Sequence, residues 1–544
     1  MTQPRQDRLR LLSPDQEHDV DAVVHDLLTG DASRVPADLV DDIAAVRTQC
    51  RLGAEQIPGA DGVPLDAFAA WPLTGGPHPL IILPAGLDPA GWKMYGGAII
   101  RLLMRRYAVV AYTERGLPGS GGELTVAGPE DVADGRKVID WALAKTELRA
   151  DPDRIGMLGI SYGSGISQLV ANADERVGAV VALSTWADLG QALYDNRTRH
   201  IAAAEALAAI SDRPSPGLVK VLEDFRNNTN IEEVLEWAEP RSPAHLAEIR
   251  PVPTFFTSYW HETIFPQNQL LDWFDRYPGP KRLDLAIGDH GAVEIPGLTL
   301  GVYTRTTEAA YDWLDHHLRD VDNGIDRDGI VHTETMYNFA MEASADLKSW
   351  SNSMLRYYLN SPSGASTDGA LTTVPARTCD QNIQAGTEEV RAASALVFDG
   401  FLERLLMPKR QLLDDVDRGA AAVWTTEPFP EPQRIAGVPE VQLTVTPSDK
   451  TVTVVAYLFD HNPFTGHLRI ITHTPVTVRN AEPGRPTAVH VRMQAADYRI
   501  PAGHKLTMII DTKDHLYGDE TVAGTTVALS NQHGPAYVDV PMSV

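Results

Sequence analysis

Basic residues are scarce in this 544-residue chain: 47 Lys and Arg stand against 73 Asp and Glu, a formal net charge of −26. Phosphate backbones would be repelled, which excludes a nucleic-acid partner, and an anionic membrane surface is no better a target. Cysteine is scarcer still. Cys50 and Cys379 are the only two; they make neither a disulfide framework nor a zinc site and suit a reducing compartment. No apolar run approaches the roughly 18 residues of a membrane helix, and Met1–Leu12 lacks the apolar stretch of a secretory signal. The expectation is a soluble, cytoplasmic protein. Low-complexity segments and internal repeats are missing too. What is present is 43% hydrophobic residues, enough for sizeable cores, over a length that suggests roughly two to four domains.

One stretch organises the rest. Ile155–Leu158 is a short apolar run, followed by Gly159-Ile160-Ser161-Tyr162-Gly163 and then by Ile166–Ala171, which can continue as a helix. Strand, sharp turn and helix are the context of a nucleophile elbow, with the serine at the tip and glycines letting neighbouring backbone pass. The helix start favours developing negative charge there.

Along the chain, Ser13-Pro14-Asp15-Gln16 reads as a capping box with Leu12 as its staple. Helices are expected through Val23–Leu28 and Ala37–Val46. From Gly62 strands take over: Val63–Trp71, Pro79–Leu83, Tyr107–Tyr112 and Val177–Leu183, alternating with helices at Trp92–Arg105 and Pro129–Lys145. That alternation predicts a mostly parallel sheet covered on both faces. Residues 190–250 are helical and acidic, an insertion expected to cap the sheet edge where Ser161 emerges. Strands resume at Val252–Thr257 and Leu283–Ile287, and a helix closes at Thr307–Leu318. Asp322, Asp326 and Asp328 miss the calcium-loop spacing, so no metal is expected. Beyond residue 330, short β-rich runs separated by turns predict a β-sandwich. The expected organisation is an N-terminal helical extension (1–60), an α/β-hydrolase domain (61–189 and 251–325), a helical cap (190–250) and the sandwich (326–544).

A serine hydroxyl needs a histidine base, and the histidine a carboxylate. In α/β-hydrolases these follow in the order Ser, Asp/Glu, His, each after a strand. His290 follows Leu283–Ile287. Glu262 follows the strand before it, with Asp188 the rival acid. Trp186, Trp260 and His261 are candidates for the substrate pocket, His261 having the alternative of an ordinary polar residue.

These residues resemble the cocaine-esterase and X-prolyl dipeptidyl-peptidase (CocE/NonD-type) family of serine hydrolases. Gly159–Gly163 is similar to its nucleophile motif, Glu114-Arg115-Gly116 with Ser120–Glu123 to its Asp-Arg-Gly loop, and Arg241-Ser242-Pro243 to its return from the cap. Trp313–Leu318, Trp424–Pro428 and Pro501–His504 resemble later landmarks, so the likeness spans about 60–544. It implies a jelly-roll fold for the third domain. Three positions depart from the family: Glu262 replaces its usual Asp, Gly288 its tryptophan two before the histidine, and Gly86 its oxyanion tyrosine.

The resulting expectation is hydrolysis of a small-molecule ester or activated amide through an acyl-enzyme, without a cofactor. The oxyanion donors are the Tyr162 N–H and that of Gly86 or Leu87, with the Tyr95 hydroxyl as rival. A homodimer is an allowed assembly. Release of X-Pro dipeptides, acyl transfer by the same residues, and a degenerate binding protein are the alternatives.

Overall fold

The computed structural model describes residues 23–30, 35–364, 366–375, 377–479, 482–522 and 524–543; the capping box at Ser13–Gln16 and its Leu12 staple lie outside them. Among the described residues, no helix is long and apolar enough to cross a membrane.

Runs such as Leu80-Ile81-Ile82-Leu83 are fully buried, as expected of strands covered on both faces. They build a ten-stranded sheet whose order is Cys50–Pro58, Pro64–Pro72, Ala108–Tyr112, His78–Pro84, Ala150–Ile160, Val177–Leu183, Thr254–Tyr259, Lys281–Ala286, Val331–Glu334, Met341–Ser344. Neighbours from Ala108–Tyr112 to Val331–Glu334 are parallel, and the pairs at the two edges are antiparallel. Helices Gly96–Met104, Pro129–Ala144, Tyr162–Ala173, Asn268–Arg276 and Arg305–Arg319 fill the crossovers.

Two boundaries differ from the sequence reading. Cys50–Pro58, assigned to a helical extension, is an edge strand paired along its length with Pro64–Pro72. Its mixed burial leaves no clean alternation to read. Val331–Glu334, assigned to the sandwich, extends the hydrolase sheet instead. Its polar residues hide it in the sequence: Thr333 and Glu334 are buried because Asp497, Ile287 N and Arg404 satisfy them.

Residues 190–250 rise above the sheet as short helices, including Ile201–Ala208, Pro216–Asn227 and Ile231–Ala238. The Pro-rich interruption at 213–216 is a helix start. Ser215 caps it, accepting from Leu218 N at 3.3 Å, and Pro216 occupies the first turn, where no N–H is needed. From Leu355 the chain is all-β apart from short helical turns, with a twelve-stranded sheet and a three-stranded one.

Candidate active site

Ser161 occupies the tip between strand Ala150–Ile160 and helix Tyr162–Ala173, at φ 54° and ψ −121°. Positive φ strains a residue with a Cβ, so close packing must hold it. A Cβ on Gly159 would collide with the Gly163 backbone, and one on Gly163 with the Pro84 carbonyl. Tyr95 ties the turn down from beneath. It is fully buried, and its hydroxyl donates to Pro84 O at 2.7 Å while accepting from Ile160 N at 3.2 Å. That bracing role takes the Tyr95 hydroxyl out of contention as an oxyanion donor.

His290 Nε2 lies 2.8 Å from Ser161 Oγ, and His290 Nδ1 lies 3.0 and 3.2 Å from the two oxygens of Glu262. A carboxylate only accepts, so Nδ1 donates and Nε2 presents its lone pair to the serine hydroxyl. Each residue leaves the end of a parallel strand, Glu262 after Thr254–Tyr259 and His290 after Lys281–Ala286. Glu262 Oε1 also accepts from the amides of Ile264 and Phe265 at 2.9 and 3.1 Å. Phe265 then meets the imidazole edge-on, ring centres 5.3 Å apart. Asp188 is engaged elsewhere. It caps a cap-domain helix through Gln191 N and pairs with His245 Nε2 at 2.6 Å.

Sequence reasoning missed Glu294, which is wholly buried under the His290 loop. It accepts from Thr257 Oγ1 at 2.6 Å, from the Tyr259 hydroxyl, and from Ser184 Oγ at 3.3 Å; Ser184 Oγ in turn accepts from Gly291 N at 2.9 Å. Burial pushes the Glu294 carboxyl up. Burial also opposes a charge on His290, but Glu262, with Asp289 and Glu294 behind it, outweighs it and holds the imidazolium above the ordinary histidine range. A base must be neutral to act, so activity should be present above that pKa and lost as pH falls through it. The acidic limb of kcat/KM is expected above about pH 6.5, the unperturbed histidine value. A limb below it would contradict this balance of charges.

The oxyanion candidates separate. Gly86 N–H donates to Met94 Sδ at 3.1 Å. Leu87 lines the cavity together with Ser161 and Tyr162. Tyr162 opens its helix, so its N–H has no intrahelical acceptor. The sequence carries no signal for where the Met94 sulfur that meets the Gly86 amide sits.

Of the pocket candidates, Trp186 lines the cavity, held by its indole N–H to Arg241 O at 2.8 Å. Trp260 and His261 do not line it. Trp260 stacks on Trp350 and donates to Glu334 O at 2.7 Å. His261 Nδ1 lies 2.6 Å from Glu403 Oε1. Both point into the junction with the C-terminal part.

The cavity opens from Ser161 into the cap. Its walls come mainly from the cap helices, with Leu207, Leu218, Phe225 and Val234, and from Trp186 and Phe265. No Asp, Glu, Lys, Arg or His is among the described lining residues.

Residues 61–292 match the family described as X-Pro dipeptidyl-peptidase (S15 family), and residues 323–537 match its C-terminal non-catalytic domain. A provisionally named Xaa-Pro dipeptidyl-peptidase of Bacillus anthracis is 21% identical over 78% of this chain and 72% of its own. The crystal structure of an aminopeptidase from a marine-sediment Thaumarchaeota archaeon is similar with a TM-score of 0.68 and 15% identity, over 91% of this chain and 97% of that one. A CocE/NonD family hydrolase from Staphylococcus aureus is similar with a TM-score of 0.69 and 13% identity, over 90% and 93%. At these identities the two solved structures speak to the fold.

Proposed function

The chain belongs to the X-Pro dipeptidyl-peptidase (S15) family and is a serine hydrolase; from that premise we propose that it cleaves carboxylic esters whose buried portion is uncharged and apolar. The observation that carries this reading is the uncharged cavity beside Ser161. An X-Pro dipeptide enters with a protonated amine. Burying that cation without a carboxylate partner costs several kcal/mol, so a dipeptidyl site needs an anionic anchor. An apolar ester group meets no such penalty and gains from leaving water.

The chemistry proposed for the array is acyl transfer in two halves. Ser161 Oγ attacks the ester carbonyl carbon as its proton passes to His290 Nε2. Glu262 holds the tautomer and stabilises the imidazolium. The amides of Tyr162 and Leu87 receive the oxyanion. Collapse breaks the bond to the alcohol oxygen, which takes the proton from His290. Water then repeats the sequence on the acyl-enzyme, releasing the acid and restoring Ser161. The hydrogen-bonded state of Ser161, His290 and Glu262 speaks against a degenerate binding protein.

Ranking substrates tests the proposal. An amino-blocked ester with an apolar acyl group is expected to exceed an X-Pro anilide in kcat/KM by more than a hundredfold, about 3 kcal/mol in transition-state binding. Equal rates, or a preference for the anilide, would contradict it.

A further inference from the structure

The residues either side of Glu262, and the one before His290, are all gripped by one segment of the C-terminal part. Asp289 is buried and collects four donors. Its Oδ1 accepts from the amides of Thr263 and His290, both at 2.7 Å. Its Oδ2 accepts from Thr263 Oγ1 at 2.7 Å and from Val397 N at 3.0 Å. Val397 aims that amide from φ 63°, a conformation that a β-branched residue adopts only under constraint. Three residues on, Gly400 packs so closely that a Cβ would collide with Asp289 N. One turn further, Glu403 Oε1 holds His261 Nδ1 at 2.6 Å and accepts from the Tyr337 hydroxyl at 3.1 Å.

We propose that Val397–Glu403, acting through Asp289 and His261, sets the separation of Glu262 and His290, so that the matched non-catalytic domain supplies positioning residues for the reaction. This rests on the acyl-transfer reading above. The physical reason is the sensitivity of such chemistry to sub-ångström placement. Glu262 and His290 ride on loops from different strands, and within this group Asp289 is the carboxylate hydrogen-bonded to both loops. The segment 397–403 closes the fourth side of that carboxylate, fixing where it stands. The carboxylates of Glu262, Asp289 and Glu294 surround His290. Burial, with Glu262 nearby, pushes the Asp289 carboxyl up to about 7, so above that pH it carries charge, and Asp289→Asn then lowers the histidine's pKa as well as loosening it.

Asp289→Asn and Glu403→Gln are to be compared with wild type in hydrolysis of p-nitrophenyl butyrate, and in the rate of Ser161 labelling by a fluorophosphonate. The expected result is a kcat lowered at least tenfold in Asp289→Asn and severalfold in Glu403→Gln. KM should change less than twofold, and in Asp289→Asn the acidic limb should move to lower pH. If Asp289→Asn does not fold, Glu403→Gln alone must show the split between kcat and KM. Wild-type kcat in the folded variants, or losses seen only in melting temperature, overturns the proposal. Failure of wild-type Ser161 to label instead overturns the acyl-transfer reading, so the two failures are told apart.

Discussion

Ser161→Ala is expected to lower kcat by on the order of a million-fold, the scale seen when a serine nucleophile is removed, with no loss of folded structure. The hydroxyl is the atom that bonds to the acyl group, and it touches little else: its contact is His290 Nε2. The backbone that shapes the turn is untouched by the change. Ser161 N still donates to Leu183 O, and Ser161 O still accepts from Ser164 N. Alanine meets the same positive φ as serine, so the strain of the turn is unchanged. Steady-state hydrolysis of an apolar p-nitrophenyl ester reads the rate, and a thermal melt followed by circular dichroism reads the fold. His290→Ala in the same background should add almost nothing, because the residues act as a unit. Activity within tenfold of wild type in Ser161→Ala would remove the proposed chemistry altogether.

Glu262→Gln carries the second large effect, a fall in kcat of about 10² to 10⁴-fold. The substitution keeps volume, and its amide oxygen can still accept from the Ile264 and Phe265 amides that Glu262 Oε1 now holds. What it removes is the negative charge facing His290 Nδ1. Without that charge, the imidazolium formed as Ser161 attacks is a cation buried at the foot of an apolar cavity. Asp188→Asn should leave kcat nearly unchanged, since Asp188 faces Gln191 and His245. Its cost in stability should be small, because asparagine caps a helix about as well as aspartate and only the charge facing His245 is lost. Measuring both variants side by side decides the acid: a larger kcat loss in Asp188→Asn would contradict the assignment.

The polar residues that meet at the cleft could be picked from the chain because each is marked by something local. Ser161 has its glycines, and Glu262 and His290 follow successive apolar strands. Tyr162 follows from the elbow itself. Residues whose position depends on a distant partner could not be read in the same way. The Gly86 amide meets Met94 Sδ, a contact that nothing near Gly86 in the sequence marks. Trp260 and His261 lie within two residues of Glu262 in sequence, yet they turn to Glu334 and Glu403. Asp289 adjoins His290 in sequence, where successive side chains tend to point apart. Its carboxylate does point away from the imidazole, and so reaches Thr263 and Val397 instead. The fold shows the same limit. Apolar central strands are plain in the sequence. The edge strand Cys50–Pro58 and the polar strand Val331–Glu334 are strands because of what they pair with.

The central claim is that catalysis passes through an acyl group on Ser161. Rapid quenching of the wild-type protein during turnover of a slowly deacylating apolar ester, followed by peptide mass spectrometry, tests it most directly. The expected result is a single adduct of the acyl mass on Ser161, absent from Ser161→Ala and accumulating when Glu262→Gln slows its hydrolysis. Turnover with Ser161 never modified, or with the acyl group on another residue, would contradict the account.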